Sequence, residues 1–236
     1  MKLPCLIMAC TLAMAAYGQM FNDIQAIEES LRRIANVRDA NGNNRYANVQ
    51  GSPFLYEQWM PGALQLKGRD TTRMAVTLNM DLASELLLVR LQDGSTGMVS
   101  PFSVQWVEIQ DEHHRPHRFI VKMEHTVADN FSYRPLFFEV IHEGQYTLLR
   151  RIQKRIYTPY AIPYETTDGH REVATIETFW LQKPGETHWH QVKMRTRAWM
   201  QTLPEHKEDI RQIKKTQQLN LYDPADVVRL LQWLEK

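Results

Sequence analysis

The sequence predicts an α+β protein in which a curved antiparallel β meander, either an open barrel or two packed sheets, carries an N-terminal helix and a C-terminal helical pair. Three observations support this class. Short apolar or alternating runs fill residues 51–194, with turn residues between them. Helical spacing of apolar residues appears only before and after that stretch. The length of 236 residues is enough for one domain to be stable through its own core.

The first 18 residues are predicted to be a signal peptide. Lys2 precedes an apolar run over residues 3–16, and Ala16-Tyr17-Gly18 offers small residues at the two positions that a signal peptidase reads. The run is shorter than the roughly 20 residues of a membrane-spanning helix. A lipid anchor at Cys10 is the disfavoured alternative, because the apolar run continues beyond this cysteine. We therefore expect export to the periplasm or the cell surface.

Cleavage after Gly18 would leave a near-neutral chain without a thiol. It would remove Lys2 and both cysteines, so that 218 residues with 27 basic and 27 acidic side chains remain. A neutral balance argues against nucleic acid as a partner and gives no reason to expect strong attraction to anionic lipids. The lack of cysteine excludes disulfides, a thiol nucleophile and thiolate-bound zinc in the mature chain.

Residues 19–50 are predicted to form a helix and a connection. Asn41-Gly42-Asn43-Asn44 ends the helix with residues that tolerate turn geometry. We interpret the helix as core-facing, with a partner-binding amphipathic helix as the alternative. Its apolar residues, spaced by three and four, are Phe21, Ile24, Ile27, Leu31, Ile34 and Val37.

Residues 51–194 are predicted to form the antiparallel β domain. Its connectors, such as Asp93-Gly94 and Lys183-Pro184-Gly185, are short, and short turns join antiparallel neighbours. About ten strands in a row should curl, split into two packed sheets or close, because exposed edges are a liability. The candidate strands are Ala63–Lys67, Arg73–Leu78, Glu85–Leu91, Thr96–Ser100, Val104–Ile109, Arg118–Glu124, Pro135–His142, Tyr146–Ile156, Glu172–Gln182 and His188–Met194.

The segment from Tyr157 to Tyr164 interrupts the strands, because Pro159 and Pro163 prevent regular ladder pairing. It predicts a long extended connection that crosses the sheet. Its tyrosines either pack on the outer surface of the sheet or form a stacking platform for a ligand.

Residues 195–236 are predicted to be helices that pack on the same domain. Thr202-Leu-Pro-Glu205 has the form of a capping box with Pro204 at the first helical position. Asp223 repeats the start signal one helix later, before a regular apolar stripe. Residues 195–201 predict an additional short helical turn. The stripe is formed by Val227, Leu230, Leu231 and Leu234.

No local motif for catalysis or cofactor binding occurs. The sequence has no nucleophile elbow, no glycine-rich phosphate loop and no zinc-protease motif. Adjacent carboxylates such as Asp111-Glu112 diverge, whereas an acid–base pair must converge across a cleft. We therefore assign no catalytic, cofactor-binding or metal-binding residue from the sequence.

Histidines are the residues that come closest to a metal site. His113, His114 and His117 cluster in what should be a hairpin tip, and neutral imidazole is a good ligand for zinc, copper or nickel. His188 and His190 share one face of a predicted strand. A flexible tip imposes no metal geometry, and two ligands are not a site, so solvated histidines are the favoured interpretation in both places.

Three segments together are similar to an uncharacterised family of exported proteins from Gram-negative bacteria. They are Gly51-Ser-Pro-Phe-Leu-Tyr-Glu-Gln-Trp-Met-Pro-Gly62, Phe137-Phe-Glu-Val-Ile-His-Glu-Gly-Gln-Tyr-Thr-Leu-Leu149 and the tail from Leu203 to Leu234. In the family the first segment has a Gly-Ser-Pro-Tyr-Leu-like opening and a Pro-Gly or equivalent turn before a strand. The resemblance implies a shared fold and export, with no assigned reaction or ligand.

The function that we expect is a non-enzymatic binding or assembly role in the cell envelope, with another envelope protein as the candidate partner. One alternative is a carrier of an apolar ligand in a helix-capped β cavity. A second alternative is a hydrolase with a dispersed site, which a converging histidine, carboxylate and hydroxyl would support. The large aromatic side chains that could line a cavity or fill a core are Trp59, Trp106, Phe137, Phe138, Phe179 and Trp180.

Overall fold

The computed structural model describes residues 46, 48–68, 74–91, 93–124, 134–159 and 171–236. The predicted signal peptide, the predicted helix over 21–37 and the predicted platform residues Tyr160 and Tyr164 lie outside these residues. The described chain is an α+β structure with 11 strands in one sheet and three α-helices. Among the helices that the structure describes, none has the length and apolar character needed to cross a membrane.

The predicted strands are present, each with boundaries that differ by a few residues. The strands are β1 Val49–Gln50, β2 Met60–Leu66, β3 Met74–Asp81, β4 Leu86–Arg90, β5 Thr96–Val99, β6 Val104–Gln110, β7 Pro116–Glu124, β8 Arg134–Glu143, β9 Thr147–Tyr157, β10 Arg171–Gln182 and β11 His190–Val192. The helices are α1 Thr196–Thr202, α2 Lys207–Thr216 and α3 Pro224–Leu234.

The sheet is antiparallel except at one pair, and it is not closed. Its order is β1-β10-β9-β8-β7-β6-β2-β3-β4-β5, with β11 on the same edge of β10 as β1. The parallel pairing of β1 with β10 makes the sheet mixed, which the sequence did not predict because β1 is only two residues long. The chain also departs from a simple meander, because β6 follows β5 in sequence but pairs with β2.

The short link between β5 and β6 requires the sheet to curl. In a flat sheet, four strand spacings of about 4.8 Å would separate these two strands by about 19 Å. The link is the single 3-10 turn Pro101–Ser103, whose rise of about 2 Å per residue cannot span that distance. On the other side of the curl, the backbone N–H of Lys154 in β9 donates to the carbonyl of Leu82 after β3, 3.2 Å away. The curl encloses a core that includes the fully buried Leu64, Leu78 and Val107.

A second core joins the three helices to β9, β10 and β11. Trp199 of α1 is fully buried there, together with Leu148 of β9 and Leu181 of β10. Three members of the stripe predicted in α3 are also fully buried, and Leu234 is partly buried. The predicted start of α3 is confirmed, because the Asp223 carboxylate accepts a hydrogen bond from the backbone N–H of Ala225 at 2.9 Å.

One local prediction is wrong. Thr202 does not cap a helix: it ends α1, and the following 3-10 turn Pro204–His206 begins after Leu203 without a side-chain cap. Leu203 is buried in the second core at this point. Pro61 and Gly62 both lie within β2, where Gly62 pairs with β3 and β6.

Candidate functional site

A cavity of about 350 Å³ opens on the inner face of the sheet. Strands β7 to β10 form its floor, and the segment after β1, with Leu55 and Tyr56, forms a wall. On this floor Glu139 of β8 pairs with Phe119 of β7 and with Arg150 of β9, so the three side chains share one face. We call this space, with its polar and charged lining, the charged cavity; its polar members are Tyr56, Asp111, Arg115, His117, Glu139, Arg150, Lys154, Thr175 and Glu177.

The buried side chain of Asn79 fixes the wall of the cavity. Its amide nitrogen donates to the carbonyls of Tyr56 and Gln58, at 2.9 and 3.2 Å. Its oxygen accepts from the backbone N–H groups of Met80, at 2.8 Å, and Tyr56, at 3.3 Å. The segment with the Gly-Ser-Pro-Phe-Leu sequence is therefore held against β3 by hydrogen bonds that replace a regular ladder.

Asp111 is a buried carboxylate at the end of β6. Its Oδ1 accepts from the backbone N–H groups of His113 and Arg115, at 2.8 and 2.9 Å, and its Oδ2 accepts from Nε of Arg115 at 2.8 Å. Burial alone would raise the pKa of Asp111, but the hydrogen bonds from Arg115, His117 and His113 outweigh it and hold the pKa well below its usual range. Asp111 is thus a fixed negative charge with its acceptor sites occupied.

His117 lies between two carboxylates. Its Nδ1 is 2.6 Å from Oε1 of Glu139, and its Nε2 is 3.3 Å from Oδ2 of Asp111. A carboxylate can only accept, so both contacts are hydrogen bonds when both ring nitrogens carry hydrogen. The ring is then left without a lone pair for a substrate.

Glu139 lies at the centre of a chain of contacts between acidic and basic side chains. Its side chain is 4 % exposed, and its Oε2 accepts from Nε and Nη2 of Arg150 at 2.8 and 2.6 Å. Nη1 of Arg150 lies 3.6 Å from Glu177 at the rim. The chain of contacts Arg115–Asp111–His117–Glu139–Arg150–Glu177 therefore places basic side chains beside each buried acid, so the buried acids are compensated.

Two hydrogen-bond donors of the cavity remain available. The Lys154 ammonium donates to the Thr175 hydroxyl at 3.0 Å and has no carboxylate partner among the described residues, so two of its three N–H groups are free in this part of the chain. Burial, with the charges of Glu139 and Asp111 as smaller causes, raises the pKa of Tyr56 to about 12. The Tyr56 hydroxyl is therefore protonated at neutral pH and can donate.

The structure separates the histidines that the sequence grouped together. His113 and His114 are exposed and do not line the charged cavity, whereas His117 does. His188 and His190 do face one another, and Glu186 joins them. Tyr157 ends β9, where its hydroxyl donates to Glu172 at 2.7 Å.

Sequence reasoning missed Glu139, Arg150, Tyr56 and Lys154 as site residues. One signal was present, since Glu139 is an acid in the middle of the apolar run of β8. An acid at such a position needs a compensating partner. The partners lie 11 and 22 residues away in sequence, and only the strand register brings them together.

Acid is expected to narrow the stability difference between the wild-type chain and Asp111→Asn. The lowered pKa means that ionised Asp111 stabilises the fold above its unfolded pKa of about 3.9, and that this contribution is lost as the pH falls through the folded value. Melting temperatures of both chains, measured at intervals from about pH 6 down to about pH 3, should therefore converge. Glu112→Gln, at the exposed neighbouring position, is the control for net charge. A constant difference would contradict the assignment.

No family model, no curated protein and no solved structure matches the chain. The arguments about its function consequently rest on the geometry of the charged cavity and on the sequence.

Proposed function

We propose that this chain is a non-enzymatic binding protein of the cell envelope, and that the charged cavity takes a small organic acid. The carboxylate of the ligand would accept hydrogen bonds from Lys154 and Tyr56. Its apolar body would lie against the side chains of Leu55, Phe119 and Ile152, which line the same cavity. The envelope location rests on the predicted signal peptide over residues 1–18.

The observation that carries this proposal is the imbalance between acceptors and donors in the cavity. The buried carboxylates of Asp111 and Glu139 accept hydrogen bonds from Arg115, His117 and Arg150. Lys154 and Tyr56, by contrast, offer N–H and O–H groups that no described residue accepts, apart from the one bond to Thr175. A ligand with an anionic acceptor would complement these donors through charge-assisted hydrogen bonds.

The same geometry favours this ligand class over the other candidates. A wholly apolar ligand would cover the Lys154 charge without pairing it, which is costly. A hydrolase would need a general base that is open to the cavity, whereas both ring nitrogens of His117 face a carboxylate, at 2.6 Å from Glu139 and 3.3 Å from Asp111. The volume of about 350 Å³ lies at the lower end of the range of small-molecule pockets.

The test compares 3-phenylpropionate with the uncharged 3-phenylpropionamide as probes. In NMR titrations we expect the acid to bind at least about tenfold more tightly than the amide, because a hydrogen bond to a charged group contributes about 1.5–3 kcal/mol. Lys154→Gln should remove this preference, and Tyr56→Phe should reduce it. The shifted resonances should belong to residues that line the cavity.

Lys193→Gln is the matched control, because Lys193 is exposed and does not line the cavity. It should bind both probes like the wild-type chain. Equal affinity for acid and amide would overturn the proposal, as would an undiminished preference in Lys154→Gln or shifted resonances far from the cavity. Absence of binding of either probe would also count against it.

A further inference from the structure

Two imidazoles and one carboxylate converge on the connection between β10 and β11. Nε2 of His190 lies 2.6 Å from Oε2 of Glu186, and Nε2 of His188 lies 3.1 Å from the same oxygen. The two rings contact each other, with their centroids 4.4 Å apart. In the described part of the chain this is the one group of three side chains whose ligand atoms lie within 4.8 Å of one another.

Hydrogen bonds and strand pairing hold the backbone at Glu186 and at His190. The backbone N–H of Glu186 donates to the carbonyl of Lys183 at 3.1 Å across the turn, and the side chain of Gln182 donates to the carbonyl of Glu186 at 2.8 Å. His190 is in β11 and pairs with Leu181 of β10. The site is therefore tied to a strand of the sheet at each end.

Trp189, between the two histidines, is anchored to the sheet. It is partly buried against a third cluster of buried side chains that includes Phe138 and Leu149, and Lys122 lies over its ring. Its neighbours His188 and His190 both contact Glu186.

We propose that Glu186, His188 and His190 bind a divalent transition-metal ion of the zinc class. Neutral imidazole nitrogen suits Zn²⁺, Cu²⁺ and Ni²⁺, whereas Mg²⁺ and Ca²⁺ prefer oxygen ligands. Around a tetrahedral Zn²⁺ with bonds of about 2.0–2.1 Å, two ligand atoms are about 3.4 Å apart. The present separations of 2.6 and 3.1 Å from the Glu186 oxygen need only a small outward movement.

The site would leave at least one coordination position open. Three protein ligands with water in the fourth position is the arrangement of open zinc sites. The His188 side chain is 64 % exposed, which gives the ion direct access from solvent. Among the described residues, Lys183 is the one lysine or arginine paired with this group, and its Nζ lies 3.9 Å from Oε1 of Glu186. Its positive charge should weaken metal binding.

The experiment is isothermal titration calorimetry of ZnCl₂ into the untagged full chain. We expect one equivalent of Zn²⁺ to bind, and His188→Ala to weaken the affinity by at least about tenfold, as even the loss of a supporting group does in known sites. Lys183→Gln should strengthen binding by a few fold, because it removes a like charge. The visible spectrum of the Co²⁺ form should show two-imidazole coordination and should be lost in His188→Ala.

His113→Ala is the matched control, because His113 is exposed and belongs to the histidine-rich turn instead. It should leave the Zn²⁺ affinity unchanged. Because His188 is exposed, its replacement should not alter the melting temperature of the metal-free chain, and Glu186→Gln provides a second variant that preserves side-chain size. The proposal would be overturned if no equivalent of Zn²⁺ bound tightly, or if His188→Ala and Glu186→Gln both kept the wild-type affinity for Zn²⁺. It would also be overturned if His113→Ala lost as much affinity as these two variants.

Discussion

Glu139→Gln is expected to lower the free energy of unfolding by about 3 kcal/mol, because it removes a buried negative charge that two partly buried side chains bind. His117 and Arg150 both bind this carboxylate, and their side chains are only 26 % and 23 % exposed. Water can therefore replace the lost interactions only in part. Urea denaturation followed by tryptophan fluorescence measures the change, with the slope of the transition expected to stay constant.

Glu143→Gln is the control for this prediction. Glu143 lies on the same strand and binds Arg118 at 2.8 Å, but its side chain is 63 % exposed. Such a surface ion pair contributes about 0–1 kcal/mol, so the control should remain near the wild-type stability. Equal effects of the two substitutions would mean that burial of Glu139 is not what makes its charge important.

The double variant Glu139→Met, Arg150→Met measures how much the interaction between these two side chains contributes to stability, when its loss is compared with the losses of the two single variants. Removing both charges avoids a partly buried guanidinium that has lost its nearest carboxylate, so the loss should be smaller than the sum of the two single losses by about 1–3 kcal/mol. Additive losses would show that the two side chains act independently. That outcome would contradict the Glu139–Arg150 ion pair as an organising contact of the cavity.

The strands could be predicted from sequence because their signals are local. The second half of β6 alternates between apolar and polar residues, and turn residues bound β4 and β5, so each is recognisable from its own residues. The start of α3 was equally local, since Asp223 caps its own helix. The Thr202 capping box failed because a tertiary contact, the burial of Leu203, decided the chain path.

The sheet order and the candidate site could not be predicted because they depend on distant residues. The pairing of β6 with β2 follows from the curl, and no single strand encodes it. His117 and Glu139 meet because β7 and β8 pair in one register, and a shift by one residue would turn one of them to the other face. Glu186 similarly gained a role only when the β10–β11 turn placed it beside His190.

The charged cavity lies on a sheet face whose neighbouring side chains belong to two different cores. Phe119 and Phe137 are part of the core inside the curl, and Leu148 and Phe179 are part of the helix-covered core. Charged side chains of β7 to β10 lie on this same face. Rigid strands therefore position the charged groups, which suits a preformed site.

Gly62→Ala is expected to destabilise the fold by about 3 kcal/mol, because the sheet has no room for a methyl group at this position. A Cβ atom there would lie 2.3 Å from the backbone carbonyl oxygen of Glu108 in β6 and 2.9 Å from Cδ1 of Leu78 in β3. The side chain of Leu78 could move, but the carbonyl belongs to a strand that pairs with β2 and β7. Relief would therefore require a shift of backbone in the middle of the sheet.

Two further variants distinguish lack of space from the general cost of replacing glycine. Gly68→Ala meets no atom within 4 Å, but its φ of +73° is unfavourable for alanine, so it should cost about 1–2 kcal/mol. Adding Leu78→Ala to Gly62→Ala should not restore stability, because the clash with the Glu108 carbonyl remains. Thermal and urea unfolding of the three variants measure these differences. If Gly62→Ala were as stable as Gly68→Ala, β2 and β6 would have to be less closely packed at Gly62 than this structure has them.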